Sequence, residues 1–186
     1  MKRIMLTIII GVIIMFSQPQ RAEANTHAGA SAQMKRGVIL SRAQLTQNEH
    51  VKKVAIERVL AKHNSPLVDE AETFIIVARA LKLDPFLLPS ITGVESTFAQ
   101  HMIDGTYNPF GFGKGTIMFD NWSDGIARVG YALRFRYINK GALTLDQIGR
   151  RYAGGSTTWA PKVQNLMRRF EAEEARIRTY QNILES

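Results

Sequence analysis

The sequence predicts a mainly α, single-domain protein, and three observations carry that prediction. Apolar residues recur at helical steps in nearly every long stretch after residue 47. Capping and stop residues bracket those stretches. The one long segment without either period is a glycine–aromatic loop between residues 99 and 118.

Residues 48–63 place Val51, Val54, Ala55 and Val59 on one side, and Asn64-Ser65-Pro66 ends the pattern. Residues 68–83 form a second, more apolar helix with acidic residues in its first turn, where they suit the helix dipole. Asp84-Pro85 reads as an N-cap followed by proline at the first helical position. From there to Phe98, the residues Leu87, Ile91, Val94 and Phe98 recur at helical steps as one buried stripe. Pro89 removes a backbone donor inside that segment, which predicts either a kink or a late helix start.

Between Ala99 and Met118, glycines at 105, 111, 113 and 115 alternate with Tyr107, Phe110 and Phe112. A long ordered loop inside a compact domain is uncommon and often functional; a short β-hairpin within it is one expected form. Ser123 reads as the next cap. Ile126, Val129, Leu133 and Tyr137 then line a helix that Asn139-Lys140-Gly141 stops. Thr144 to Tyr152 is a short helix holding Leu145 and Ile148. Gly154-Gly155-Ser156 breaks the chain, and Trp159 to about Leu184 is a final long helix whose Arg168–Arg178 stretch reads as a solvated face. Trp122 and Trp159, both at helix starts, read as packing residues rather than sugar platforms.

The first residues bear on location. Met1-Lys2-Arg3 is a positive n-region, Ile4 to Phe16 is apolar, and Ala22-Glu23-Ala24 offers a small-x-small cleavage pattern. These are the parts of a secretory signal peptide over residues 1–24, and the run of about 13 apolar residues is shorter than a membrane span. The expected location is extracytoplasmic, in the periplasm or cell wall, with membrane contact only through this segment if it is retained. Residues 25–46, rich in Ala, Ser, Thr and Gln, read as a flexible spacer, and residues 47–186 as the folded domain. The absence of cysteine excludes disulfides, a lipoprotein anchor and thiolate metal sites. The four histidines share no metal-ligand spacing, so no metal and no cofactor is expected.

The formal net charge is +8. It fits an anionic wall polymer or simply solvated helix faces. The basic residues form no nucleic-acid-binding motif, so no nucleic-acid partner is expected.

Glu95 is the residue with chemical promise. It lies four residues from Ile91 and seven from Leu88, at the edge of the apolar stripe. Burial disfavours the charged form of a carboxyl and raises its pKa, and a carboxylic acid still protonated near neutrality can give a proton to a glycosidic oxygen. An ion pair with an arginine, or exposure at the helix end, is the structural alternative. The glycine–aromatic loop after it has groups able to stack on sugars and backbone able to approach them closely.

The segment Ile91-Thr92-Gly93-Val94-Glu95-Ser96-Thr97-Phe98 resembles the Glu-Ser motif of the lysozyme-like superfamily, which includes lytic transglycosylases and bacterial glucosaminidases. Tyr107-Asn108-Pro109-Phe110-Gly111-Phe112-Gly113-Lys114 is similar to the Asn-x-Phe-Gly-Ile-Lys loop of the glucosaminidases. Phe119 to Ile126 resembles their Tyr-Asp-Ser-Trp-Glu-Glu-Ser-Ile helix start. Arg151 to Val163 resembles their Tyr-Ala-x-x-x-x-Tyr-Ala-x-Lys-Val segment. The four motifs occur in the family's order over roughly residues 70–170.

The resemblance implies a lysozyme-like α-rich fold and cleavage of β-1,4 bonds in peptidoglycan glycan strands by a monomer, as a glucosaminidase or lytic transglycosylase. It maps Glu95 onto the catalytic acid and Tyr152 onto a tyrosine that supports catalysis. Ser96, Tyr107, Asn108, Phe110 and Gly111 map onto the substrate-binding side of the cleft. Glycoside hydrolysis ordinarily uses two carboxylates, and the second is not identified in this sequence. Asp104, Asp120 and Asp124 are candidates, with Asp120 and Asp124 better suited to starting the following helix. Without a second carboxylate, two routes are open: assistance by the substrate's N-acetyl group, or attack by the sugar's own 6-hydroxyl to give an anhydro product. The alternative function is a glycan-binding module that keeps the cleft without turnover.

Overall fold

The computed structural model describes residues 45–186. The expected signal peptide and residues 25–44 of the expected spacer lie outside the described residues. Among the described residues the fold is mainly α, with six α-helices: α1 Gln47–Lys62, α2 Ala71–Leu81, α3 Leu87–Ser96, α4 Trp122–Tyr131, α5 Leu145–Tyr152 and α6 Trp159–Leu184. No strand occurs among the described residues, so the loop does not take the form of a hairpin. No helix among them is long and apolar enough to cross a membrane.

Each helix start has a local cause. The Thr46 hydroxyl accepts the Glu49 N–H at 3.2 Å while the Glu49 carboxylate accepts the Thr46 N–H at 2.9 Å, a reciprocal cap that starts α1. Thr144 and Gln147 repeat the device at α5. The predicted 68–83 helix divides into a tight 3-10 turn at Val68–Glu70 and α2. It closes early because Lys82 turns left-handed (φ 50°) and the Leu83 N–H reaches back to the Ala78 carbonyl, which buries Leu83.

Asp84 does not cap α3. Its side chain accepts the Phe86 N–H at 2.8 Å in a turn, and the helix begins at Leu87. Of the two outcomes expected from Pro89, the late start is the one observed. Proline then falls in the first turn, where its missing N–H has no partner to lose. Ser123 does not cap α4 either: Asn121 accepts the Asp124 N–H at 2.9 Å, and the Ser123 hydroxyl donates instead to Glu70 at 2.7 Å. After α4 the backbone widens to π-helical turns over Ala132–Tyr137 and tightens again over Ile138–Lys140.

The core forms where these helices meet. Val51, Ala55, Ile56 and Leu60 of α1 are buried, as are Phe74 and Ile75 of α2, Leu88 and Ile91 of α3, Ile126 and Val129 of α4, and Val163, Phe170 and Ile177 of α6. Phe86 stacks on Phe170, and Phe98 meets Phe170 edge-on.

The long α6 departs from its predicted role. Arg168, Arg169, Arg176 and Arg178 are exposed, but Glu173 and Glu174 between them are buried. Glu173 accepts from Lys62 at 2.7 Å and Arg58 at 3.4 Å, and Glu174 from Lys52 at 2.7 Å, so the supposed solvated face is clamped to α1. Buried carboxylates persist only with such partners.

Candidate active site

α3 ends immediately after Glu95 and Ser96, and the backbone beyond it is unusual. Thr97, Phe98 and Ala99 all have left-handed φ (52°, 58° and 69°), a conformation that costs roughly 1 kcal/mol or more for each residue bearing a Cβ. Two things hold it. Phe98 is buried against His63 and Phe170, and its carbonyl accepts the buried Ser65 hydroxyl at 2.8 Å. Ser96 braces the other side: its Oγ accepts the Ala99 N–H at 2.9 Å and lies 2.7 Å from the Pro109 carbonyl and 3.0 Å from that of Thr92. This reversed turn sends the chain into the loop and folds that loop back over the end of α3.

The loop is locked from inside by Asn108. Its amide donates to the Phe112 carbonyl at 2.8 Å and the Ile117 carbonyl at 3.0 Å, and its oxygen accepts the Phe112 N–H at 3.0 Å. The Phe119 N–H closes the base of the loop on the Thr106 carbonyl at 2.9 Å. Phe110 anchors the whole segment in the core. Thus Ser96, Asn108 and Phe110, expected on the substrate side of the cleft, are 3%, 1% and 0% exposed. Their side chains are spent on shaping the loop, with no free surface for a ligand. Tyr107, at 38% exposure, does face solvent, edge-on to Trp122 at 4.9 Å.

Glu95 is half-buried beneath this loop. Its Oε1 accepts the indole N–H of Trp159 at 2.6 Å. Its Oε2 faces Gly111, where a Cβ would stand only 3.1 Å away. Gly111 has φ +59°, so glycine both permits the backbone bend and leaves room at the carboxyl. Burial pushes the Glu95 carboxyl above its ordinary value, and the Trp159 hydrogen bond, which favours the anion, pulls it part of the way back. Neither Asp104, Asp120 nor Asp124 contributes to that shift.

Tyr152, the last residue of α5, completes the cluster. Its hydroxyl donates to the Phe110 carbonyl at 2.7 Å, and its ring lies 5.3 Å from Trp159 and 6.2 Å from Phe112. Burial, then the charge of Glu95, then Tyr137 push the phenol far up. Tyr152 is therefore a fixed neutral donor beside the carboxyl. Its influence on Glu95 and that of Glu95 on it are not symmetrical, because Tyr152 is uncharged at any pH where Glu95 titrates.

Glu95, Tyr152, Phe110 and Gly111, distant in the sequence, are thus brought together. The structure adds Trp159, whose sequence position suggests packing alone. It does pack, at 4% exposure, but it is also the partner of the acid. The available signal is its position in the Arg151–Val163 segment, where the resembling family has a tyrosine.

The candidate second carboxylates divide. Asp124 is buried in the first turn of α4, ion-paired with Arg128 at 2.9 Å and accepting the Asp120 N–H, as expected of a residue that starts a helix. Asp104 and Asp120 are exposed. No group of three or more His, Asp or Glu among the described residues could hold a metal ion.

The chain matches no protein-family model and no curated protein sequence.

Proposed function

We propose that this protein cleaves β-1,4 bonds in the glycan strands of peptidoglycan, with Glu95 as general acid and then general base. The observation that carries the proposal is the half-buried Glu95 carboxyl. It is raised in pKa by its surroundings, fixed by one hydrogen bond, and roofed by a loop whose glycine leaves one oxygen clear. A structural glutamate in this fold looks different: Glu173 and Glu174 are surrounded by lysine and arginine and lowered in pKa.

The chemistry needs little else. Protonated Glu95 gives its proton to the glycosidic oxygen as the C1–O bond breaks and its electron pair passes to the leaving oxygen. The resulting oxocarbenium-like centre is trapped by a nucleophile: the substrate's N-acetyl oxygen, or its 6-hydroxyl. In the first case water then attacks C1, breaks the new bond to the acetyl oxygen and gives its proton to the Glu95 carboxylate; in the second the carboxylate removes the hydroxyl proton, and either way Glu95 is reset. Among the described residues Asp124, the buried candidate for a second carboxylate, is held by Arg128, and a route that draws its nucleophile from the sugar needs no such group. The extracytoplasmic location implied by the N-terminal residues suits this substrate.

Purified cell wall and the Glu95→Gln variant test the reading. The wild type should release soluble fragments and the variant should lose at least about a thousandfold in rate while keeping its fold. Equal activity in both would overturn the assignment of Glu95. Wall binding without turnover in either would favour a glycan-binding module. Mass spectrometry of the fragments separates a reducing end from an anhydro end.

A further inference from the structure

The two oxygens of Glu95 stand in different surroundings. Oε1 is taken: the Trp159 N–H donates to it at 2.6 Å. That donor cannot drift away, because Trp159 is buried at the start of α6, packs on Tyr152, and lies against Gly149, where even a Cβ would stand 2.8 Å from its ring. Oε2 has only the glycine roof, and Gly111 leaves it the space of a missing side chain. An indole N–H can only donate. The carbonyl oxygen of a protonated carboxyl is a better acceptor than its hydroxyl oxygen, so this donor favours Oε1 as the carbonyl and places the proton of the neutral acid on Oε2.

We propose that Trp159 is the positioning residue of Glu95: it occupies Oε1 and leaves Oε2, on the Gly111 side, as the single oxygen that gives and later takes the proton. This rests on the glycosidase reading of the site, and it adds the direction from which the glycosidic oxygen approaches. The glycosidic oxygen then reaches Oε2 from the side that Gly111 leaves open, with the Tyr152 phenol fixed on the Phe110 carbonyl nearby. The same N–H strengthens its hold as the carboxylate forms, which assists proton donation.

Two replacements at one position separate this role from packing. Trp159→Phe removes the N–H and also opens space. The benzothiophene analogue of tryptophan at position 159 removes the N–H and keeps the two-ring shape. Carbon-13 NMR of the Glu95 carboxyl, without any substrate, reads the contact directly. Both replacements should move the Glu95 titration upward, because an anion-favouring hydrogen bond is gone. In wall digestion both should lower kcat about ten- to a hundredfold with little change in KM, and move the high-pH limb of the profile upward with the titration. Gly111→Ala should abolish cleavage while Glu95 still titrates, since its methyl group covers Oε2. An analogue that titrates and turns over like the wild type would overturn the positioning role, and an active Gly111→Ala would overturn the choice of oxygen. A wild type that digests no wall at all sinks the glycosidase reading instead, while the NMR titration still decides the Trp159 contact.

Discussion

Ser96 tests whether the residues around Glu95 bind a ligand or build the site. Its hydroxyl has one proton to donate, and the closest acceptor is the Pro109 carbonyl at 2.7 Å; it accepts the Ala99 N–H at 2.9 Å. Ser96→Ala leaves both of these backbone groups without their partner in a buried setting, at about 1–3 kcal/mol each. It also unfastens the left-handed run of Thr97, Phe98 and Ala99, whose strain of roughly 3 kcal/mol must be offset by such contacts. With partial relaxation and water entry, the net destabilisation should be about 3 kcal/mol, or about 10 °C in Tm for a domain of this size. Urea unfolding monitored by circular dichroism measures it. Adding Ala99→Gly, which frees one left-handed residue of its Cβ, should return about 1 kcal/mol. A Ser96→Ala protein that melts with the wild type yet no longer digests wall would refute the reasoning, and Ser96 would then belong to the substrate.

Gly125→Ala perturbs the loop from the opposite side. Its Cβ would stand 2.8 Å from the Tyr107 carbonyl oxygen and 2.9 Å from the Phe119 ring, so backbone must shift at a cost of about 1–3 kcal/mol. Wall digestion should fall at temperatures where the fold is intact, measured by comparing rate with the melting curve. Acid should loosen the α1–α6 clamp. The Lys62 hydrogen bond is the main cause that lowers Glu173, helped by the charges of Lys62 and Arg176 and the Arg58 hydrogen bond against a burial cost. A carboxyl lowered on folding adds stability that is complete above its unfolded value of about 4.5 and is lost as pH falls through the folded value. Glu173→Gln should therefore cost about 1–2 kcal/mol at pH 7 and flatten the decline of stability below pH 5 seen by urea unfolding.

Much of this fold is legible in the sequence because its causes are local. Of the stripe Leu87, Ile91, Val94 and Phe98, the first two are buried on the helix as their spacing requires, Val94 is only partly buried, and Phe98 is buried through the left-handed turn beyond the helix end; Glu95 beside them is half-buried. Local readings fail where two local answers compete. Asp120-Asn121-Trp122-Ser123-Asp124 contains several good capping residues within a few positions, and Asn121 takes the role because Ser123 is drawn to Glu70 on another element. Lys82 ends α2 in a conformation that glycine would be expected to supply, because burying Leu83 rewards the turn.

The burial of polar residues at the site has a different origin. The family resemblance maps the polar residues Ser96 and Asn108 onto the substrate side of the cleft. Here each is dry, because the irregular backbone between residues 97 and 118 exposes donors and acceptors that no helix or strand can satisfy, and these side chains satisfy them instead. A loop that carries function without regular structure must recruit its polar residues as scaffold, and the richer it is in them, the less its composition says about the ligand. Glu95 and Trp159 show the complementary limit. Sixty-four positions separate them, so no period or spacing links donor to acceptor. An acid can be found from the apolar residues beside it, but the group that orients it arrives from another helix and is visible only once the chain has folded.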